Sequence, residues 1–418
     1  MKINVFGATL QAGVLAGLFA EHGHQVFWCS NELGRKDQVH YQNEDVNRLI
    51  QQQLISGFLH LGSFDELPVD NDVYVFSYAA TEQDRTLALL DRIHKITVEP
   101  KGLFINGSTF GLHGTEALKQ KLNTENWAYL PDVIQEGNAL GSFTYAKQVI
   151  VGVDHDDVKS MMQELLRPFF QFQHQYLFMP ILDAEFTKLS ISGMLAMRIG
   201  YMNDLALVSE KLGIDIFNVQ QGLAADSRIG SAYLSAGAGF GGENFSHDIL
   251  TLSNTVSDIG VRSQLLEQVW QNNERQKEVL FRKLWNHFQT NLKHKKIAIW
   301  GASFKENTSS IHNAPIHALL EALWAQGAIV HLHDPQALPE IHQYYGDRSD
   351  LILFEDQYQA TAQSDALCLM TAWKQYLSPD FQKLKSQMKH LLLLDGRNVY
   401  DPAYVKAQGF TYQGVGRS

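Results

Sequence analysis

Apolar residues follow two rhythms along this chain, and the rhythm changes twice. Residues 2–6 form a short apolar run that Gly7 breaks, residues 10–22 carry apolar side chains at helical spacing, and 25–29 form a second run. That order predicts strand, tight turn, helix and strand, the unit that opens a doubly wound sheet. Further strands are expected at 73–77, 102–106 and 148–153, between helical stretches such as 83–93 and 156–166. From 183 onward the period is helical. AEFTKLSISGMLAMRIGYMNDLALVSEKLG, residues 184–213, reads as one long helix with Gly213 after its end. Other helices are expected at 215–225, 249–259 and 265–287. At Lys295 the first rhythm returns in KKIAIWGASF, PIHALLEALWAQG, AIVHLHDP, DALCLMTAW and HLLLLDGRN. The expected fold is α/β: two Rossmann-like doubly wound domains, 1–182 and 291–418, joined by an α-helical middle, 183–290, with one long helix.

Composition narrows the function classes. The 418 residues are 45% hydrophobic and 19% charged, as in an ordinary globular chain, with a net charge of −11. That charge, without any basic run, argues against a nucleic-acid partner. Cys29 and Cys368 are too few for a disulfide framework, so a cytoplasmic setting is expected. Lys2 and the apolar stretch INVFGATLQAGVLAGLFA have the look of a signal peptide, but Glu21, His22 and His24 follow without a cleavage site. The strand–turn–helix reading is preferred, and no other segment reaches the ~18 apolar residues of a membrane span. His331 and His333 flank one residue beside Asp334, yet no further spaced ligand supports a metal site.

Eight motifs stand in order along the chain: the opening strand–turn–helix, GSTFGLHGT, PDVIQEG, AEFTKLSIS, SRIG, GAGFGGENFSHD, GASFKENT and DGRN. In this order they resemble the UDP-glucose/GDP-mannose dehydrogenase family across nearly the whole length. The resemblance implies oxidation of a nucleotide-linked sugar's primary alcohol to a carboxylate with two NAD. It also implies a UDP-sugar held between the two α/β domains, and a homodimer formed through the long central helix.

Where the family carries a nucleophilic Cys after the Gly-rich loop, this chain has Asn244. A carboxamide nitrogen is delocalised and cannot replace a thiolate, so the usual alcohol-to-acid oxidation is not expected. Lys188 matches the family's active-site lysine, which stabilises developing oxyanions, and Asp248 its acid four residues after the Cys. Asp132 replaces the first Glu of the PEFLREG-like motif, Glu136 keeps the second and is grouped with the cofactor site, and Ser192 stands where Asn is usual. By resemblance the nucleotide-sugar site comprises the loop Ser235 to Gly241 with Phe240, together with Ser192, Arg228, Lys305 and Arg397. Arg228 is expected to reach a neighbouring subunit's substrate.

The dinucleotide fingerprint is eroded. Its three glycine positions read Gly7, Thr9 and Ala12, with Gly13 one place late. Thr9 is expected to crowd the pyrophosphate. Ser30 replaces the ribose-binding acid at the end of the second strand. Arg35, with Asn31 and Lys36 nearby, suits a 2′-phosphate, so NADP in place of NAD is one reading, and loss of dinucleotide binding is the other. Thr109 is the best-kept cofactor contact. Two functions follow: an altered nucleotide-sugar oxidoreductase that stops at two electrons or acts on another carbon, and a silent paralogue that binds a nucleotide-sugar or an active partner as scaffold or regulator.

Overall fold

The computed structural model describes residues 1–30, 41–68, 71–96, 102–122, 124–261 and 264–417. They fall into two compact units, Met1–Ile191 and Ser192–Ser418.

The first unit is built on an eight-stranded sheet. Its strands are β1 (Lys2–Phe6), β2 (Gln25–Cys29), β3 (Leu59–Leu61), β4 (Val73–Phe76), β5 (Leu103–Asn106), β6 (Trp127–Tyr129), β7 (Val149–Val153) and β8 (Tyr176–Met179). Their order is β3-β2-β1-β4-β5-β6-β7-β8, parallel except for the β6–β7 pair. The helices are α1 (Leu10–Glu21), α2 (Glu44–Ser56), α3 (Gln83–Ile96), α4 (Gly114–Leu122), α5 (Ala139–Thr144), α6 (Asp156–Leu166) and the start of α7 (Ile181–Leu212). Alternate residues of each strand face opposite layers. Ile3, Val5, Val75 and Ile105 bury against Leu15 and Phe19 of α1. On the other face Phe6, Phe76, Phe104 and Trp127 stack across four neighbouring strands, with ring centroids 5.1–6.4 Å apart. Each such aromatic pair adds about 0.5–1.5 kcal/mol beyond the area it buries. The apolar opening of the chain is thus a central strand and a helix packed on it. Pattern alone missed β3, β6 and β8; β3 and β6 have 3 residues each, too few to show a period.

The second unit begins within α7 and continues through α8 (Ile216–Ala225), α9 (Glu243–Asp258), α10 (Gln264–Gln276) and α11 (Val279–His287). A six-stranded parallel sheet follows, β9 (Lys296–Trp300), β10 (Ile329–His333), β11 (Leu351–Leu353), β12 (Ala366–Leu369), β13 (Leu392–Asp395) and β14 (Thr411–Gly414), in the order β11-β10-β9-β12-β13-β14. Met202 and Ala206 of α7, Ile216 of α8 and Leu280 of α11 share one core with Ile297, Ile299 and Leu394 of the sheet. The chain's end closes this core: Gly416 accepts from Ile216 N–H at 2.9 Å, and Arg417 forms a two-bond ion pair with Asp215. The expected single helix 265–287 is two helices, broken at Lys277 and Glu278. The break falls where Gln276 and Lys277 turn their polar ends inward.

Candidate functional site

In the second unit the Gly-rich loop precedes α9. Many of its backbone amides have protein partners. Gly237 N–H donates to the Asn203 side chain at 2.9 Å, Ala238 N–H to Gly396 O at 2.9 Å, and Gly242 N–H to His312 O at 2.8 Å. Phe240 is held from both sides: its N–H donates to Asn273 Oδ1 at 2.8 Å, and Asn273 Nδ2 donates to its carbonyl at 3.1 Å. The glycines let the protein's own backbone come close. A Cβ on Gly241 would lie 2.6 Å from Asn313 O, which no real side chain tolerates.

Several buried polar residues that the sequence reading did not single out form this cradle. Gln276 donates to Gly237 O at 2.8 Å. Lys277, 4% exposed, places its ammonium 2.8 Å from Glu274 and 2.6 Å from Asn313 Oδ1. Burial holds the Lys277 pKa below the usual lysine value, although Glu274 pulls the other way. Asn313 Nδ2 continues to Ser246 Oγ on α9 at 2.8 Å. For Gln276 and Lys277 the one sequence signal was polar residues inside an otherwise helical, half-apolar stretch.

Past the loop, Asn244 is exposed in the first turn of α9, and Asp248 is buried one turn later. Ser192 Oγ donates to Asp248 Oδ2 at 2.7 Å. Lys188, half-buried and belonging to the first unit, stands one turn before Ser192 on α7.

Two expected substrate contacts have other tasks. The Phe240 ring is 7% exposed and packs on Phe245 and Trp270, so it is a core residue, and only its backbone belongs to the loop. Arg397 donates to three carbonyls, Met370 at 2.6 Å, Gly239 at 3.3 Å and Phe304 at 3.1 Å, which ties the loop to the end of β13. A guanidinium so engaged shapes the site before it meets any ligand. Lys305 is half-buried, its ammonium 5.3 Å from the centre of the Phe304 ring. Arg228 is exposed and folded back on Asp226 at 2.6–3.0 Å. His331 and His333 are buried, and their Nδ1 atoms meet Ala360 O at 3.2 Å and the Tyr376 hydroxyl at 2.5 Å. Among the described residues no cluster of three His, Cys, Asp or Glu is placed to hold a metal, and no helix is long and apolar enough to cross a membrane.

In the first unit the β1–α1 turn lies at the sheet's switch point, between β1 and β4. Gly7 has φ +103°, and a Cβ there would sit 2.0 Å from Ser77 O, so glycine is obligatory. Thr9 is the N-cap of α1: its hydroxyl accepts from Ala12 N–H at 3.2 Å and meets Ser77 Oγ at 2.5 Å. The Tyr41 ring fills the space beside Gly13, where a Cβ would lie 2.3 Å from it, and its hydroxyl donates to Thr9 O at 2.8 Å. Ser30 is half-buried, and Arg35 lies outside the described residues. Thr109 is half-buried in the turn after β5. That turn is anchored by Glu185, another residue the sequence reading missed, whose carboxylate accepts from His113 N–H and Thr115 N–H, both at 2.8 Å. Burial nevertheless raises the Glu185 pKa. Asp132 accepts from Ile134 N–H at 3.0 Å, and Glu136 is half-buried in the same segment. For a dinucleotide the fit is partial. Gly7 suits it, whereas Thr9 puts a hydroxyl on the helix amide that a phosphate would take.

Two doubly wound sheets, a long helix running into the second unit and a Gly-rich loop leading into an acid-bearing helix are the features that place this chain among known folds. The chain belongs to the UDP-glucose/GDP-mannose dehydrogenase family: the family's central domain matches residues 182–275, and its UDP binding domain matches 298–402. It is 38% identical to a UDP-glucose 6-dehydrogenase of Pseudomonas aeruginosa over 290 residues, which cover 69% of this chain and 64% of that enzyme. A UDP-glucose 6-dehydrogenase of Rhizobium meliloti is 29% identical with both chains fully covered. The fold superposes on a UDP-glucose dehydrogenase from Pyrobaculum islandicum with a TM-score of 0.86 at 22% identity, covering 100% of this chain and 98% of that one.

Proposed function

We propose that this chain binds a nucleotide-linked sugar through its second unit and, with NAD or NADP on its first, oxidises one carbinol carbon by a single two-electron stage. The observation that carries the reading is Asn244. It stands exposed one turn before the buried Asp248 carboxylate, at the mouth of a loop that the protein holds in shape on its own. A thioester stage needs sulfur. Cys29 and Cys368 are 1% and 0% exposed within β2 and β12, and burial pushes the Cys368 thiol pKa up, so neither supplies a thiolate. A bound dinucleotide would supply the hydride acceptor. Of the chain's own groups, Lys188 offers a cation for a developing oxyanion and Asp248 a buried carboxylate. We further propose a homodimer through α7 and a reducing, cytoplasmic setting.

The test is incubation of the purified chain with NAD or NADP and a panel of UDP- and GDP-sugars, following reduced nicotinamide and product mass. One reduced nicotinamide per sugar and a carbonyl product are expected. Uronate formation, or a sugar bound covalently to the chain, would sink the reading. A second reading, a silent nucleotide-sugar-binding paralogue, is favoured by the hydroxyl of Thr9 on α1. Saturable UDP-sugar binding without any nicotinamide reduction would establish it.

A further inference from the structure

At the switch point of the first sheet the protein bridges its own crevice. The hydrogen-bond directions follow from the donors available. Gln11 Nε2 donates to Leu130 O at 3.4 Å, which leaves Gln11 Oε1 as an acceptor, and Ser77 Oγ donates to it at 2.9 Å. The Ser77 proton being so placed, the Thr9 proton is the one available to the 2.5 Å contact between the two hydroxyls, and it also faces Ser77 O at 3.1 Å. Thr9 Oγ1 then has its lone pairs for Ala12 N–H, at 3.2 Å. One directed chain runs from the helix amide through Thr9, Ser77 and Gln11 to Leu130, joining the ends of β1, β4 and β6. Thr9 is half-buried and Gln11 and Ser77 are 3% and 1% exposed, so the chain runs from the rim of the turn into the interior. Tyr41 fixes the same residue from the other side: its hydroxyl donates to Thr9 O, its ring fills the gap at Gly13, and it stacks on Trp28 at 6.4 Å with the planes 9° apart. Trp28 in turn donates to Gly7 O at 2.9 Å.

A phosphate group seated on this turn would need the Ala12 amide and the volume of the Thr9 side chain. Both are taken by the brace. We propose that the Thr9–Ser77–Gln11 brace is an affinity-setting latch that holds the first unit's dinucleotide turn in a closed form, with Thr9 as the residue that limits NAD or NADP binding. The inference rests on the first unit being the dinucleotide unit, and it requires no turnover.

Calorimetry with NAD and with NADP on the full chain tests it. Thr9→Gly is expected to bind one of the two at least about tenfold more tightly than the wild type, the weight of one or two ordinary hydrogen bonds. Thr9→Ser, which keeps the hydroxyl, gains nothing. Loss of the N-cap weakens α1, so thermal melts accompany each variant. Should Thr9→Gly not fold, Thr9→Ala, which removes the hydroxyl and the γ-methyl but keeps Cβ, is expected to gain severalfold. Equal or weaker binding by the folded glycine or alanine variant overturns the latch, as does an equal gain by Thr9→Ser. The latch and the oxidoreductase reading fail separately. Tighter binding without any sugar oxidation keeps the first and removes the second, and oxidation with no gain in affinity does the reverse.

Discussion

Ser192 Oγ lies 2.7 Å from Asp248 Oδ2, a hydrogen bond between α7 and α9 that places a hydroxyl on a carboxylate only 1% exposed to solvent. A buried carboxylate that loses such a donor loses part of what offsets its desolvation, about 1–3 kcal/mol. Ser192→Ala should therefore lower the unfolding free energy by that amount, read as a lower urea midpoint at unchanged slope, and Asp248→Asn in the same background should recover part of the loss. Additive losses in the double variant would show that the bond is not what holds the pair.

Lys277 predicts a pH dependence. Burial lowers its pKa in the folded chain below the usual 10.5. Between the lowered value and 10.5 the unfolded chain binds more protons than the folded one, so stability rises with pH across that window. Relative to Lys277→Met, the wild type should gain stability as pH climbs toward 10.5. A flat difference between the two denaturation curves across that range would refute the assignment.

Gly241→Ala tests whether the glycines serve the protein's own packing. The added methyl would meet Asn313 O at 2.6 Å, backbone against side chain, so the loop must shift. An overpacked site of this kind costs about 1–3 kcal/mol. The variant should melt lower even in the absence of ligand, and should bind UDP-sugars more weakly. Unaltered stability with weakened binding would mean that the glycine serves the ligand alone.

The face of α7 bearing Met194, Tyr201 and Val208, seven residues apart, is 52–55% exposed at these three positions. Seven-residue spacing lays them on one stripe, suited to a second copy of the same helix. Light scattering should report a dimer for the wild type and a monomer for Tyr201→Asp at the same concentration. A monomeric wild type would remove the proposal.

Much of the architecture was legible because helix and strand periods are local properties of a chain. The runs at 2–6 and 25–29 and the helical stretch at 184–213 became elements nearly as expected, whereas β3, β6 and β8 of the first sheet did not register. The site was legible only by type. Lys188, Asp248 and Asn244 were picked out by resemblance, whereas Asn203, Asn273, Gln276, Lys277 and Asn313, which shape the loop, were not. Their partners lie far away in sequence: Asn273 meets Phe240 from 33 residues on, and Gln276 meets Gly237 from 39.

The sequence alone determined the α/β class, the order of the elements, the family likeness and the absence of a thiol at position 244. Each of these follows from residue identity or from a period of two or 3.6 residues. Only the tertiary structure decided that the Gly-rich loop closes on its own protein, that Phe240 belongs to the core, and that Thr9 caps the helix a phosphate would use. Those outcomes depend on which distant donors and acceptors burial forces together, since a polar group taken out of water must find a partner wherever the fold places one.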